Sequence, residues 1–532
     1  MKRIRFILPD QNRFSGNFST LVIPGLKLPH IGTCIMGEML RRKGYDVQII
    51  DEKITPLESS DVMDSDLIGI SISTVTAVKG YQLAEYYRKK FKIPVVLGGV
   101  HASLNPEEAV HYGDYVIRNE GEQAILELVE ALENNLSVDD ILGLSYKDGE
   151  EIYHNSQRKF ISDLDSLPYP NWTLIKGMMS YKITPFNFNV YPIQVTRGCP
   201  FNCTFCSVTP SFGKLCRHRS IESVVDELKT NKLESQNYVF FYDDNLVGNK
   251  PYLKDLLQAI LDNDIKIYGW HSQMRADVAE DPELLNLMQE TNCIIGTFGF
   301  ESINPETLKS MKKDQDPDLI KHCIKSMHDH GIATNGFFVF GFENDTTETI
   351  RETVKFAQES LIDIAGFMPL MPFPGTVLFD EMKDKDVIFS KNWELYDVQH
   401  VVYYPEKMTP YELYSESLAA YPRFYNIKNK KMLSKRKSMN FWNEIFMKWS
   451  IRSHQVYQYE YMANRRYMRY LKSLPKKPNI EELRSGKYEY DPKKDTPLLH
   501  QVLKRKLPNR IMKSVFITPN RYKNLLKDTI IT

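Results

Sequence analysis

The segment Val195–Val208, VTRGCPFNCTFCSV, holds three of the seven cysteines in a chain of 532 residues: Cys199, Cys203 and Cys206. Thiolates this close together bind soft metals. A four-iron cluster ordinarily takes four cysteines. Three in one loop leave one iron without a protein thiolate and open to an outside ligand. Zinc is the competing occupant: structural zinc takes four ligands in closely spaced pairs, and Cys216 and His218 lie downstream. The loop residues alone leave both readings open. Seven scattered cysteines make no disulfide framework, so the expected compartment is reducing, namely cytoplasmic.

A loop of this kind needs an element on each side to aim it. An apolar run at Val190–Thr196 leads in, Gly198 frees the turn, and helical spacing resumes over 221–229. Downstream come VFFYDDNL (239–246), YGWHSQMRAD (268–277), GTFGFES (296–302), TNGFFVFGFENDT (334–346) and GFMPLMPFPGT (366–376), each after a helical stretch. About six βα units in succession predict a partial barrel over 190–385, with its chemistry at the C-terminal strand ends.

Ahead of the barrel, residues 1–145 alternate apolar runs with helical patterns. Strands are expected at Ile4–Leu8, Asp46–Ile50, Leu67–Ser73, Pro94–Leu97 and Tyr115–Ile117. Helices are expected at 31–43, closing on Gly44, at 76–91 and at 122–134. That order predicts a doubly wound, Rossmann-like parallel sheet, which binds ligands at the C-terminal ends of its strands. The strand ends are Asp51, SISTVT (71–76), GGVHAS (98–103) and RNEGE (118–122). Residues 146–189 read as a linker and 386–532 as a mostly helical region.

Taken together, GGVHAS, RNEGE and the Cys-x3-Cys-x-aromatic-Cys loop resemble the radical SAM enzymes that carry a cobalamin-binding domain, over roughly residues 1–385. The resemblance implies a 4Fe-4S cluster on Cys199, Cys203 and Cys206, its open iron chelated by S-adenosylmethionine (SAM), and a bound cobalamin. It implies that Phe205 sits against the adenine and that Asp243 or Asp244 pairs with the methionyl amine. Gln273 and Arg275 face the carboxylate, and Glu301 accepts from the ribose hydroxyls. For cobalamin it implies contacts from Ser71, Ser73, Thr74, Gly98, Gly99, His101, Glu120 and Gly121. Asn119 stands where a glycine is usual. No Asp-x-His-x-x-Gly motif offers the cobalt an imidazole, so His30 and His101 are expected to position the corrin or simply to pack.

Lys plus Arg and Asp plus Glu number 68 each, so the overall charge names no polyanionic partner. The start, MKRIRFILPD, has too short an apolar run for a signal peptide, and no stretch is long and apolar enough to span a membrane. Residues 426–477 hold fourteen Lys or Arg against Glu444 and Glu460, interleaved with aromatics. They are expected to form a helical cap, with peripheral membrane contact or an anionic partner as alternatives. The resemblance implies methylation of an unactivated carbon on a small-molecule or lipid-like substrate, driven by a flavodoxin- or ferredoxin-type reductant. A non-methylating oxidative cyclase shares this architecture. A tRNA methylthiotransferase would need a second cysteine trio, and only Cys34 precedes residue 199. A metal or cobalamin sensor binding nucleic acid would leave the three-cysteine loop without a purpose.

Overall fold

The computed structural model describes residues 2–10, 28–178, 190–230, 238–426 and 465–490. The first sheet contains β1 (Arg3–Leu8), β2 (Asp46–Asp51), β3 (Leu67–Ser71), β4 (Val95–Gly98) and β5 (Tyr115–Ile117), all parallel, in the order 2-1-3-4-5. These strands are near-continuous apolar runs because helices cover both faces. The chain reverses its direction of travel between β1 and β3, and such a switch point opens a crevice at the strand ends.

The sheet then continues past the expected boundary at residue 145. Strands β6 (Leu144–Asp148) and β7 (Glu151–His154) add an antiparallel hairpin next to β5, so the first domain reaches at least His154. The turn between them carries Gly149 at φ 59°, the left-handed conformation a tight hairpin demands. Much of the remaining linker is pinned as well: Ile175 bridges to Ile49, and Leu174 and Ile175 are buried in the first core.

The second sheet is the predicted open barrel. Strands β8 (Val190–Ile193), β11 (Tyr238–Phe241), β12 (Gly269–Met274), β13 (Cys293–Glu301), β14 (Ala333–Phe340) and β15 (Ile364–Pro369) run parallel in that order. Between β8 and β11 lies a short antiparallel pair, β9 (Thr196–Arg197) and β10 (Arg217–His218). The run expected as one strand, 190–196, breaks at 194–195 because the Asp243 carboxylate takes the amides of Val195 and Thr196. Phe241, Trp270, Phe298, Phe338 and Phe367 point outward and pack with Leu253, Leu256 and Ile324 of the surrounding helices. By strand alternation Phe240, His271, Gln273, Thr297 and Asn335 turn into the barrel.

Beyond the barrel, Thr409 and Glu412 cap a helix, Pro410–Phe424, whose Phe424 packs 5.7 Å from Phe367. In helix Arg465–Ser473, Tyr467 is fully buried and donates to Val401 O at 2.5 Å. The expected helical cap is thus present where it is described. Residues 427–464, most of the stretch read as a membrane or anion contact, lie outside the described residues. Among those described, no helix is long and apolar enough to cross a membrane.

Candidate active site

The cysteine loop leaves β9 through Gly198, at φ 90°. A Cβ there would collide with Leu215 O and lie 3.0 Å from Gly213 O, so only glycine makes this turn. The loop is tied down from both sides: Cys199 N donates to Gly213 O (3.3 Å), Thr204 N to Met311 O (3.3 Å) and Leu378 N to Thr204 O (3.0 Å). All three thiols are free and partly exposed. Burial raises the Cys203 thiol and pushes Cys206 up to about 12, so metal binding there displaces protons.

Among the described residues, no three His, Cys, Asp or Glu side chains converge as a single zinc ion would need. His218 instead stacks on Tyr252 at 4.3 Å. Three thiols on one tied-down loop suit a polynuclear cluster, in which each takes its own iron. Asn245 Nδ2 lies 4.0 Å from Cys199 Sγ, an amide donor beside one thiolate position.

The strand-end acids behave differently from one another. Asp243 is fully buried: Oδ1 accepts from Thr196 N at 2.5 Å, Thr196 Oγ1 at 2.6 Å and Val195 N at 3.2 Å. Burial pushes its carboxyl up to about 7 despite these donors. Asp243 therefore holds the entry to the cysteine loop, whereas Asp244 is exposed at the strand end, its carboxyl pushed up to about 6 by surrounding protein. Arg275 follows β12 and places its guanidinium carbon over Phe201 of the cysteine loop, 3.7 Å from the ring centre; Nη2 donates to Asp314 O at 3.2 Å. Its Nε is 3.9 Å from Asp277, too far for a direct hydrogen bond. Gln273 is exposed on β12, and Phe205 meets Phe342 edge-on at 6.1 Å. Glu301 sits at the end of β13 with Lys313 Nζ 2.5 Å from Oε1. Sequence offered no sign of Lys313, a loop residue twelve positions away.

At the other sheet, an open cleft of about 170 Å³ lies over the ends of β1, β3, β4 and β5, where a sheet of this topology takes its ligand. Its floor includes Ser71, Gly98, Gly99, Glu120 and Gly121, with apolar walls from Phe6, Met36 and Ile125. A Cβ on Gly98 would meet nothing closer than Ile117 O at 3.9 Å and would take up cleft space. A floor with glycines at 98, 99 and 121 and apolar walls suits a flat macrocycle such as corrin. Asn119, the departure from the usual glycine, adopts φ 61°, a conformation asparagine tolerates better than other side chains. The two motif loops are joined by Ser103, which donates to Gly99 O (2.8 Å) and accepts from Asn119 N (2.8 Å).

Three residues expected at cobalamin are not among those lining this cleft. Ser73 and Thr74 form the turn after β3, where Ser73 N donates to Thr76 Oγ1 at 3.0 Å. His101 is buried, its ring 5.0 Å from Trp393 and Nε2 3.6 Å from Glu108, and it packs the first domain on the C-terminal region. His30, by contrast, lines the cleft and caps helix Ile31–Arg42 by accepting from Thr33 N at 3.2 Å. The remaining wall comes from the barrel: Gln194, Arg197, Ser211, Phe212 and Tyr242. Those residues bracket the cysteines in sequence, and four of them, Gln194, Arg197, Ser211 and Phe212, are not among the expected site residues. For Arg197 the signal in the sequence is an arginine on each side of the cysteine loop, Arg197 and Arg217.

A profile of the Radical SAM superfamily matches residues 193–357, and one of the B12 binding domain matches residues 21–129. The chain is 31% identical to an uncharacterized methyltransferase of Pyrococcus horikoshii, over 76% of this chain and 89% of that protein. It is 29% identical to the bacteriochlorophyllide d C-12(1)-methyltransferase of Chlorobaculum tepidum, over 70% of this chain and 78% of the relative. Identity to the anaerobic magnesium-protoporphyrin IX monomethyl ester cyclase of Rubrivivax gelatinosus is 27%, over 73% and 72%. In fold it is similar to the cobalamin-dependent S-adenosylmethionine radical enzyme OxsB, with a TM-score of 0.65 at 15% identity over 99% of this chain and 84% of that one.

Proposed function

Since the chain belongs to the cobalamin-dependent radical SAM methyltransferase family, we propose that it methylates an unactivated carbon of a small-molecule or lipid-like substrate. The observation that supports this reading is the shared wall: the cleft over the first sheet is lined in part by Gln194, Arg197, Ser211 and Phe212, which flank Cys199–Cys206 in sequence. When bound, the cluster supplies the electron that cleaves SAM to a 5′-deoxyadenosyl radical, and cobalamin carries the methyl group.

In this reading Cys199, Cys203 and Cys206 hold the cluster, Asp244 pairs with the methionyl amine and Arg275 faces the carboxylate. Glu301, braced by Lys313, takes the ribose hydroxyls, while Phe205 flanks the adenine. Ser71, Gly98, Gly99 and Gly121 lie under the corrin. Asp243 acts one step back, by fixing Val195 and Thr196. The barrel keeps water from the radical, and its interior offers the substrate aromatic and neutral polar surface. Phe240 stacks on His271 at 4.3 Å, and burial lowers His271 to about 4, so it meets the substrate uncharged. A flavodoxin- or ferredoxin-type protein in a reducing, cytoplasmic setting would deliver the electron.

The test is anaerobic turnover of cluster- and cobalamin-loaded protein with methyl-deuterated SAM, a chemical reductant and a cell extract as substrate pool. The expected product gains one deuterated methyl group alongside 5′-deoxyadenosine. A product formed without label, with 5′-deoxyadenosine still released, overturns methylation. That outcome would favour a second reading, oxidative cyclisation, which the similarity to the Rubrivivax gelatinosus cyclase supports.

A further inference from the structure

Glu120 ends the RNEGE turn after β5 and lines the cobalamin cleft, yet its carboxylate is directed at the barrel. Oε1 accepts from Arg217 Nη1 at 2.8 Å and Arg197 Nη1 at 3.2 Å. Oε2 accepts from Arg217 Nη1 at 3.0 Å and from the Ile161 amide at 2.6 Å. Glu122, two residues on, takes Arg197 Nη2 at 2.7 Å. The four charged side chains are only 4–5% exposed. Two guanidiniums and two carboxylates balance, so the buried cluster is neutral.

The two arginines are register partners across β9 and β10. Arg197 stands two residues before Cys199, and Arg217 directly follows Cys216. The hairpin that carries the cysteine loop is therefore bolted to the end of a strand in the other domain. A buried ion network loses much of its Coulombic gain to desolvation. Its use here is geometric: guanidinium forks fix direction as well as distance.

We infer that Glu120 is a positioning residue, which sets the separation of the iron–sulfur cluster from the cobalamin by clamping Arg197 and Arg217. This replaces the expected role of Glu120 as a direct cobalamin contact. It rests on the presence of both cofactors and not on methylation, so a chain that binds both and transfers no methyl leaves it standing.

The full-length protein, reconstituted anaerobically with iron and sulfide and loaded with hydroxocobalamin, tests it. Partial reduction makes cluster and cobalt paramagnetic together, and pulsed EPR then reads their dipolar coupling as a distance distribution. Wild type gives one narrow distribution. Glu120→Gln and Arg217→Lys each lose it, while the hydroxocobalamin Kd moves by less than about threefold. A folded variant of either kind that keeps the wild-type distribution overturns the inference. So does a Glu120→Gln variant that weakens hydroxocobalamin by more than about tenfold while Arg217→Lys changes nothing, since Glu120 would then be a cofactor contact. Arg217 is not among the cleft-lining residues, so Arg217→Lys decides the matter alone if Glu120→Gln fails to fold.

Discussion

Lys313 Nζ donates to Glu301 Oε1 at 2.5 Å, and the pair occupies space that exists only because position 299 lacks a side chain. The strand slips there: Gly299 pairs with Phe337 and Glu301 with Phe338, so β13 carries one extra residue. Such a bulge re-aims the side chain beside it. Glu301 itself holds φ 60°, a strained conformation for glutamate that its surroundings must enforce.

Gly299→Ala should break this arrangement, because its Cβ would collide with Glu301 Oε1 and stand 2.8 Å from Lys313 Nζ. SAM affinity should fall about tenfold, near the worth of a charge-assisted hydrogen bond, with little loss of stability, because the displaced atoms are the ends of flexible side chains. Equilibrium SAM binding to the reconstituted protein measures the first effect. Unchanged affinity would remove Glu301 from the SAM site.

Gly198→Ala acts on the other cofactor. With a Cβ running into Leu215 O and a backbone at φ 90°, the cysteine loop cannot close as it does here. The strain is worth roughly 1–3 kcal/mol and falls on the loop. Iron and sulfide assays after reconstitution should show cluster content well below wild type in a protein with an ordinary circular dichroism spectrum. Full cluster loading would show that the loop has another way to close.

Asp244 and Asp243 should separate under the same test. The Asp244 carboxyl, pushed up to about 6, pairs with a methionyl amine only when ionised, so SAM affinity should drop as pH falls through 6. Asp244→Asn should remove that dependence and cost about 1.5–3 kcal/mol of binding. A pH profile identical to wild type would assign the amine to another group.

Asp243 should report on stability instead. Its native carboxyl, pushed up to about 7, lies above the ordinary value of 3.8, so the folded state keeps the proton longer than the unfolded chain. The stability it contributes is fully present below about pH 4 and is lost as pH rises through 7. Asp243→Asn does not titrate, so its deficit against wild type should be smaller at pH 8 than at pH 5 in urea denaturation of the apoprotein. A deficit that widens with pH contradicts this account.

Cys203→Ala should abolish release of 5′-deoxyadenosine while hydroxocobalamin still binds, because the cleft draws none of its lining from residues 199–206. Liquid chromatography of the reaction mixture and a cobalamin absorbance titration give the two readings. Joint loss of both would mean that the cofactor sites fold as one unit.

Much of this architecture was legible in the chain because its signals are local. Cysteine spacing, repeated strand–helix alternation and the Gly98–Gly99 turn depend on residues within a few positions of one another. Asn119 was an apparent departure until its φ of 61° showed that the turn needs a left-handed residue, not glycine as such. The β6–β7 hairpin was missed although Asp148-Gly149 is a turn signal, because the alternating pattern of helices and strands had ended.

Chain order therefore determined which residues could make chemistry: three thiols in a loop, acids at strand ends and a glycine-floored crevice. Only the tertiary structure decided how adjacent residues divide the work. Asp243 and Asp244 are neighbours of one type, yet one is bonded to the backbone of another strand and the other is exposed. Glu120 belongs to a cofactor motif, but its partners are Arg197 and Arg217, 77 and 97 residues away. The physical reason is that a buried charge must find its counter-charge in space, and separation along the chain does not say which one that is.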